Sequence, residues 1–582
     1  MYFCTFMNPK TINFQQKKEV LKTMKKSTNK LNNVLSTMLV PTGAALLLAG
    51  CSDSNESSEN KNNIQPKPNG DGKYNIVFIT CDQEAYMEQY PAGSDYAARE
   101  RLRQMGTSFE KHYACANVST SSRSVIYTGR HITETCMLDN TNYAFQPNMS
   151  TDLTTVGDML RKAGYYTAFK GKWHMSEGDT SLEEYGFSDW TEGDMYGAVY
   201  EGFKEDVTIC DNIIAWLKNK GKELNDSGQS FFLAINFLNP HDIMYYNEDG
   251  IGGLAGEGVP APDAPVYKKS YDVPVPSSWN EPFDKEGRVA AHGEYAGNWE
   301  RMVGPSPKNE AGWKLFRDYY FNTIQDEDNY MQKLLNYLDE AGLLNNTIII
   351  YTSDHGEMQG EHGLKGKGGF IYENNIHVPL IVYHPEIQGG RHCRNITSHL
   401  DLAPTFVDYA TNGNAAQFAE ITNGLHGHSL VPAVKDPSVD VRNGEGALFC
   451  YDMLSMIDSE FIIDRTLTPA YRLDITKRGF VRGIITNEYK FARYFAPVNF
   501  NTPTDFEALY ANNDVEMFTY GSDEMSNQAW PKGNNQATVE KMNQKLNTLI
   551  SHEIGVDDGH ETLTYSKYGV RPFAKPTNNA QQ

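Results

Sequence analysis

The chain has 582 residues, 40% of them apolar, and a formal net charge of −22 at pH 7. That length predicts two or more domains, or one large α/β domain with an appendage. The negative balance excludes a nucleic-acid-binding surface, so any anionic substrate must be drawn in by a local cationic site against a repulsive overall field.

The N-terminus reads as an address. Met24-Lys25-Lys26 opens a basic region and Val34 to Leu48 is a short apolar core, too short to span a bilayer, leading into Leu48-Ala49-Gly50-Cys51. The pattern resembles a lipoprotein signal cleaved before Cys51, with residues 1–23 an upstream extension. Export to a bacterial membrane through a lipid anchor on Cys51, periplasmic or at the cell surface, is therefore expected. Residues 52–72, rich in Ser, Asn, Glu, Lys and Pro, read as a solvated tether. The six remaining cysteines that follow, Cys81, Cys115, Cys136, Cys210, Cys393 and Cys450, form no CxxC pair, and buried thiols and disulfides both stay open.

Folded sequence begins with Lys73-Tyr74-Asn75-Ile76-Val77-Phe78-Ile79-Thr80-Cys81-Asp82-Gln83. A continuous β-branched and aromatic run ending in an acid predicts a buried parallel strand with Asp82 at its carboxyl edge, where open α/β sheets bind ligands. Next comes Ser119-Thr120-Ser121-Ser122-Arg123, continuing to Thr128-Gly129-Arg130. A hydroxyl at the mouth of a helix sits in the positive field of its free N–H groups, and Arg123, four residues on, shares a face with Ser119. Residues 150–164 predict a helix capped at Ser150 or Thr151 and stopped by Gly164. A strand from Tyr165 to Lys170 then delivers Gly171-Lys172-Trp173-His174, in which alternation points Lys172 and His174 the same way, a cation and a base beside a glycine. A third strand, Phe231 to Phe237, delivers Asn239-Pro240-His241-Asp242, with Pro240 fixing the approach to His241.

Tyr246 to Pro307 is rich in Gly, Pro and Tyr without sustained period, and reads as an irregular substrate-side insertion. Helical spacing returns between Trp313 and Ala341. Thr347 to Thr352 then predicts another buried strand, ending in Ser353-Asp354-His355-Gly356-Glu357. Asp82, Asp354 and His355 at strand ends are candidate ligands for one divalent ion; calcium prefers oxygen, and the imidazole leaves manganese open. Gly360 to Gly369 is a glycine-rich cationic loop in which glycines permit backbone approach to an anion and Lys365 or Lys367 supplies charge. Near the C-terminus a hairpin about Thr486-Asn487-Glu488, a short strand Val515 to Phe518 and an apolar helix face of Val539, Met542, Leu546, Leu549 and Ile550 predict a smaller unit.

Several of these motifs, in order from Lys73 to about Gly555, are similar to those of the type I sulfatases. The family signature has Cys or Ser, then Pro or Ala two residues later, then Ser-Arg and Thr-Gly-Arg; here Ser121 stands at the Pro/Ala position. The resemblance implies an alkaline-phosphatase-like α/β fold, a mixed sheet between helices over residues 73–440, with a smaller antiparallel α+β subdomain over 441–582. It implies that a maturation enzyme oxidises Ser119 to formylglycine (3-oxoalanine), whose hydrate attacks sulfur. Arg123, Lys172 and Lys367 would hold the sulfate, His241 would protonate the leaving oxygen and His174 would assist sulfate release. The metal, usually calcium, would be held by Asp82, Gln83, Ser119, Asp354 and His355, with Gln83 replacing a second acid. The expected reaction is sulfate-ester hydrolysis on a sulfated glycan. The alternatives are a phosphoester or phosphonate monoester hydrolase using unmodified Ser119, and a non-catalytic glycan-binding lipoprotein.

Overall fold

The computed structural model describes residues 65–562 apart from 142, 144, 145 and 460–473. The expected signal, the lipid-bearing Cys51 and most of the tether lie outside the described residues. Among the described residues no helix is long and apolar enough to cross a membrane.

The chain is built on a seven-stranded mixed sheet in the order β4-β5-β1-β6-β7-β2-β8. Its strands are β1 (Asn75–Asp82), β2 (Thr107–Phe109), β4 (Tyr166–Gly171), β5 (Phe231–Pro240), β6 (Thr347–Ser353), β7 (Leu380–Tyr383) and β8 (Arg391–Cys393). A short parallel pair, β3 (His112–Tyr113) and β9 (Thr397–Ser398), lies apart from it. Strands β4, β5, β1 and β6 are parallel, whereas β7 runs antiparallel to β6 and to β2. All four parallel strands therefore deliver their carboxyl ends to one edge. The apolar run of β1 is continuous because both faces are covered. Ile76 and Phe78 pack with Ile126, Leu160 and Phe406 on one side, while Val77 and Ile79 pack with Ile213, Met331 and Leu335 on the other. Each such fully buried side chain contributes about 1.5–3 kcal/mol of transfer free energy.

Helices Ser119–Thr128, Val156–Lys162 and Leu402–Thr411 supply the first layer, and Glu201–Trp216 with Glu310–Glu340 the second. The second of these starts at Thr155, not at Ser150 or Thr151. Thr155 and Asp158 form a capping box, and that reciprocal pair of bonds outcompetes the earlier hydroxyls. Within the insertion expected to be irregular, Ala291–Val303 is a helix.

The smaller sheet is antiparallel, in the order β10 (Ala447–Tyr451), β11 (Phe480–Ile485), β12 (Tyr489–Phe495) and β13 (Asn513–Thr519), and helix Gln536–Glu553 packs on it. Strand β10 was not anticipated. Its apolar core is shared with Cys115, Val125 and Leu400, so the two sheets are packed as one body. All six cysteines in the described residues are free thiols.

A buried ionic cluster ties the two parts together. Arg442 donates to both carboxylate oxygens of Asp401 at 2.9 and 3.0 Å and to Glu553 at 2.9 Å, while His131 Nε2 lies 2.7 Å from the other Glu553 oxygen. Burial opposes the charge on Glu553, but Arg442 and His131 together outweigh it and bring the carboxyl down to about 2. A depressed carboxylate gives stability that is complete above its unfolded value of about 4.3 and lost as pH falls towards the folded one. Glu553→Gln is expected to cost about 3 kcal/mol at pH 7 and to flatten the loss of stability between about pH 4.3 and 2. Thermal or urea melts across that pH range check both.

Candidate active site

Strand β1 ends at Asp82, and its neighbour β6 is followed directly by Asp354 and His355, so adjacent parallel strands bring two carboxylates and an imidazole to the same edge. Their ligand atoms lie within 4.8 Å of one another, and all three residues are fully buried. Ser119 is the first residue of its helix, and its Oγ lies 2.9 Å from His355 Nε2 and 3.3 Å from Asp82 Oδ1. The hydroxyl thus sits among the free N–H groups of a helix start.

One turn on, Arg123 spans the two acids. Its Nε donates to Asp354 Oδ2 at 3.1 Å and one terminal nitrogen to Asp82 Oδ2 at 3.2 Å, while the other terminal nitrogen donates to the Lys172 carbonyl and to Asn236 Oδ1, each at 3.0 Å. Lys172 Nζ lies 2.7 Å from Asp82 Oδ2. Lys367 Nζ donates to Gln83 Oε1 at 2.6 Å and stands 4.0 Å from Asp82. Lys365, the competing lysine, leaves the site: its Nζ donates to the backbone carbonyls of Gly304 and Pro305 at 2.7 and 3.2 Å. Both glycines beside Lys367 serve packing. A Cβ on Gly366 would lie 2.3 Å from the Trp299 ring, and one on Gly368 2.3 Å from the Tyr295 ring. The glycines are thus required sterically as well, and the Gly366 N–H donates to the Glu357 carboxylate at 2.7 Å.

The electrostatics are asymmetric. Burial works against the charge on Asp82, yet Lys172 and the other neighbouring cations outweigh it and hold the carboxyl well below its ordinary value. Burial, with Asp82 next to it, pushes Asp354 up to about 6. Burial brings Lys367 down to about 8. His174 and His241 are pushed well below the usual imidazole value, by burial first and by Lys172 and Lys367 respectively. Both rings line a cavity of about 70 Å³ together with Ser119 and Lys367. Neither ring nitrogen of His174 has a hydrogen-bond partner, nor has Nδ1 of His241. His174 does not continue the strand: the chain turns at Gly171 and His174 itself takes a φ of 59°, so its aim comes from a turn held by Asp194, which accepts its N–H at 2.9 Å.

The donor set fits a divalent ion. His355 lies 3.1 Å through Nδ1 from the Gly356 carbonyl, an arrangement in which Nδ1 donates and the Nε2 lone pair faces Asp82 and Asp354. Two carboxylates and an imidazole suit calcium less strictly than manganese. Gln83 is held near them in a left-handed conformation (φ 81°), where Tyr320 clamps the turn: its hydroxyl donates to the Gln83 carbonyl and accepts the Ala85 N–H, each at 2.9 Å. Its side-chain amide bridges Lys367 and Glu357, the latter at 2.5 Å.

All ten residues selected from sequence gather at this edge. Missed were Asn236, Asp194, Glu357 and Tyr320. Asn236 had a readable signal, a lone amide inside an apolar strand; the others lie on helices or loops with no pattern to mark them.

A mixed sheet with a hydroxyl, cations and acids gathered at its carboxyl edge is the framework of enzymes that cleave anionic esters. The sulfatase family model matches residues 74–412, well over half of the chain, and the chain belongs to that family as a sulfuric ester hydrolase. It is 27% identical over 459 residues to the N-acetylglucosamine-6-O-sulfatase of Bacteroides thetaiotaomicron, covering 69% of this chain and 75% of that one. A solved structure in complex with its substrate D-glucosamine-2-N,6-O-disulfate shares the fold with a TM-score of 0.60 and 21% identity, covering 86% of this chain and 100% of the other. The phosphonate monoester hydrolase from Silicibacter pomeroyi gives 0.62 and 19%, covering 84% and 96%.

Lys367→Ala is expected to lower kcat/KM for sulfate esters about 10²–10³-fold, the usual effect of removing one charge-stabilising donor. Lys365→Ala is expected to lower the melting temperature with a much smaller loss of turnover. Steady-state kinetics on 4-nitrophenyl sulfate and thermal melts separate the two lysines.

Proposed function

We propose that the chain hydrolyses a sulfate monoester on a sulfated glycan, using a formylglycine made from Ser119 by a maturation enzyme. A divalent ion, calcium or manganese, is assigned to Asp82, Gln83, Asp354 and His355 beside it. The observation that carries this reading is the position of Ser119 Oγ, 2.9 Å from His355 and 3.3 Å from Asp82 at a helix start, with Arg123, Lys172 and Lys367 around it. Three buried cations, Arg123, Lys172 and Lys367, face three buried carboxylates, Asp82, Asp354 and Glu357, so their charges balance inside a chain of net charge −22, and a divalent ion would tip the site positive and favour a sulfate over any neutral group.

Formylglycine at Ser119 would supply, as its hydrate, a nucleophilic hydroxyl and a second hydroxyl for sulfate release, and an ion held by Asp82, Gln83, Asp354 and His355 would supply Lewis acidity beside it. The chain's own groups do the remainder. Lys172 and Lys367 neutralise the non-bridging sulfate oxygens, and Arg123 holds the two acids at the spacing the ion needs. His241 lines the cavity beside Ser119; burial and Lys367 favour its neutral form, and a bound sulfate would offset Lys367 so that the ring takes up a proton and passes it to the departing alcohol oxygen. His174, neutral through burial, accepts the proton released with sulfate. The likeness to a Bacteroides thetaiotaomicron N-acetylglucosamine-6-O-sulfatase supports an amino-sugar glycan as substrate. Lipid anchoring through Cys51 on an exported chain places the enzyme on a membrane surface where such polymers are met.

A second reading, phosphoester or phosphonate monoester hydrolysis by the unmodified Ser119 hydroxyl, is favoured by Ser121 at the Pro/Ala position of the signature. Mass spectrometry of the tryptic peptide containing Ser119, from protein matured in its native background, separates them. A loss of about 2 Da at Ser119, with activity on sulfate esters, is the expected result. Unmodified serine in protein that turns over phosphate esters overturns it. Dialysis against EDTA is expected to abolish turnover, and calcium or manganese to restore it.

A further inference from the structure

The cavity beside Ser119 has walls of a distinct composition. On the leaving-group side it is lined by Met244, Met302, Met453 and Met456 with Tyr295 and Trp299, closed by the small Gly197 and Ala255. Among the described residues its lining includes no carboxylate and, beyond Lys367, no lysine or arginine. Arg301, next to Met302, donates to the Ser459 carbonyl.

The aromatic part of this wall is locked to the lysine loop. Helix Ala291–Val303 carries Tyr295 and Trp299 one turn apart. Trp299 lies on Gly366 and Tyr295 on Gly368, on either side of Lys367. Lys365 Nζ bonds the Gly304 carbonyl just past the end of that helix, a cation at its negative pole. Residues 365–368 therefore grip the helix at three successive places and present Lys367 to the site from the same grip. Loop 250–258 closes the rim, with Leu254 and Ala255 donating to the Arg301 and Met302 carbonyls at 2.9 and 2.7 Å.

We propose that this helix is the specificity element of the enzyme, and that its Met- and aromatic-lined cup takes one uncharged sugar ring at a chain end, bearing the sulfate that is removed and no second anionic group. A second sulfate or a uronate carboxylate would be desolvated against thioethers and rings, where the described lining offers no lysine or arginine beyond the Lys367 that the first sulfate takes, which is strongly unfavourable. Methionine and aromatic surfaces instead suit the apolar faces of a pyranose. The cup measures about 70 Å³, less than one pyranose fills, so even a single ring has to part the flexible methionine side chains to enter, and the flanking rings of a polymer chain stay outside. The proposal rests on the sulfatase reading of the same site.

The test compares kcat/KM for three probes: 4-nitrophenyl sulfate, N-acetylglucosamine 6-sulfate and glucosamine 2-N,6-O-disulfate. The monosulfate is expected to exceed the disulfate at least tenfold. In Met302→Lys, which offers the cup a cation, that ratio is expected to fall at least tenfold. A ratio is unaffected by the fraction of folded protein. On a monosulfated oligosaccharide only the terminal residue should lose sulfate, a result that needs no variant. Hydrolysis of 4-nitrophenyl sulfate combined with a preference for the disulfate, or with release from internal residues, overturns the proposal and leaves the sulfatase reading standing. No hydrolysis of any of the sulfate esters overturns the sulfatase reading itself.

Discussion

The structure turns on Arg123 bridging Asp82 and Asp354. Two carboxylates at the ends of adjacent parallel strands, both out of contact with water, repel each other and each carries a large desolvation penalty. A planar guanidinium that donates to one oxygen of each is a geometry a lysine does not reproduce, because the fork sets both distances at once. Its other terminal nitrogen is fixed by Asn236 from β5 and by the Lys172 carbonyl from the end of β4. The ends of β1, β4 and β6, the interior of β5 and the helix opened by Ser119 thus meet at one side chain. Replacing Arg123 leaves two buried acids uncompensated, so its role in chemistry and its role in folding cannot be separated by a single substitution.

Around that bridge, a second set of buried charges keeps the site rigid without entering it. The turn after Asp82 carries Glu84, which pairs with Arg99, and Arg99 in turn reaches Glu327 and Asp328 on the long helix. With Tyr320 of the same helix gripping the Gln83 and Ala85 backbone, the left-handed Gln83 is held from below, and strain of that kind persists only where surrounding contacts over-determine it. Preorganisation of this sort is what an electrostatic site needs, since charges that have to reorient during reaction stabilise it less.

How much of this could be read beforehand depended on whether a residue's role was local. Asp82 and Asp354 were legible because a run of buried residues covered on both faces has one recognisable end. Ser119 and Arg123 were legible because helical spacing puts them on one face. The choice between Lys365 and Lys367 was not, since both lie in a glycine-rich loop and only the partner each reaches distinguishes them. Helix Ala291–Val303 was hidden because Gly293 and Gly297 lower its propensity and its buried face, Tyr295, Trp299 and Val303, is a narrow stripe within a Gly- and Pro-rich stretch. Tertiary packing on the lysine loop, not intrinsic preference, makes it a helix. The capping box at Thr155 lay within sight, but two earlier hydroxylated residues offered the same local chemistry, and only the reciprocal bond to Asp158 decides among them.

That hidden helix also changes the meaning of the glycines around Lys367. Glycine beside a lysine in a loop suggests a backbone opened for an anion, and the alternative, a backbone thinned for an aromatic ring, leaves the same trace in sequence. Here the aromatic rings do lie on the glycines, and that has a structural consequence. A Cβ at residue 366 or 368 would clash with the Trp299 or Tyr295 ring, so the ring or the loop that carries Lys367 would have to shift. The lysine assigned to the sulfate and the wall assigned to the alcohol are therefore mechanically linked. Specificity for the leaving group can then reach the chemical step without a conformational switch, because an alcohol that fits the ring wall finds the lysine already in place, whereas one that forces the wall outward carries the lysine with it.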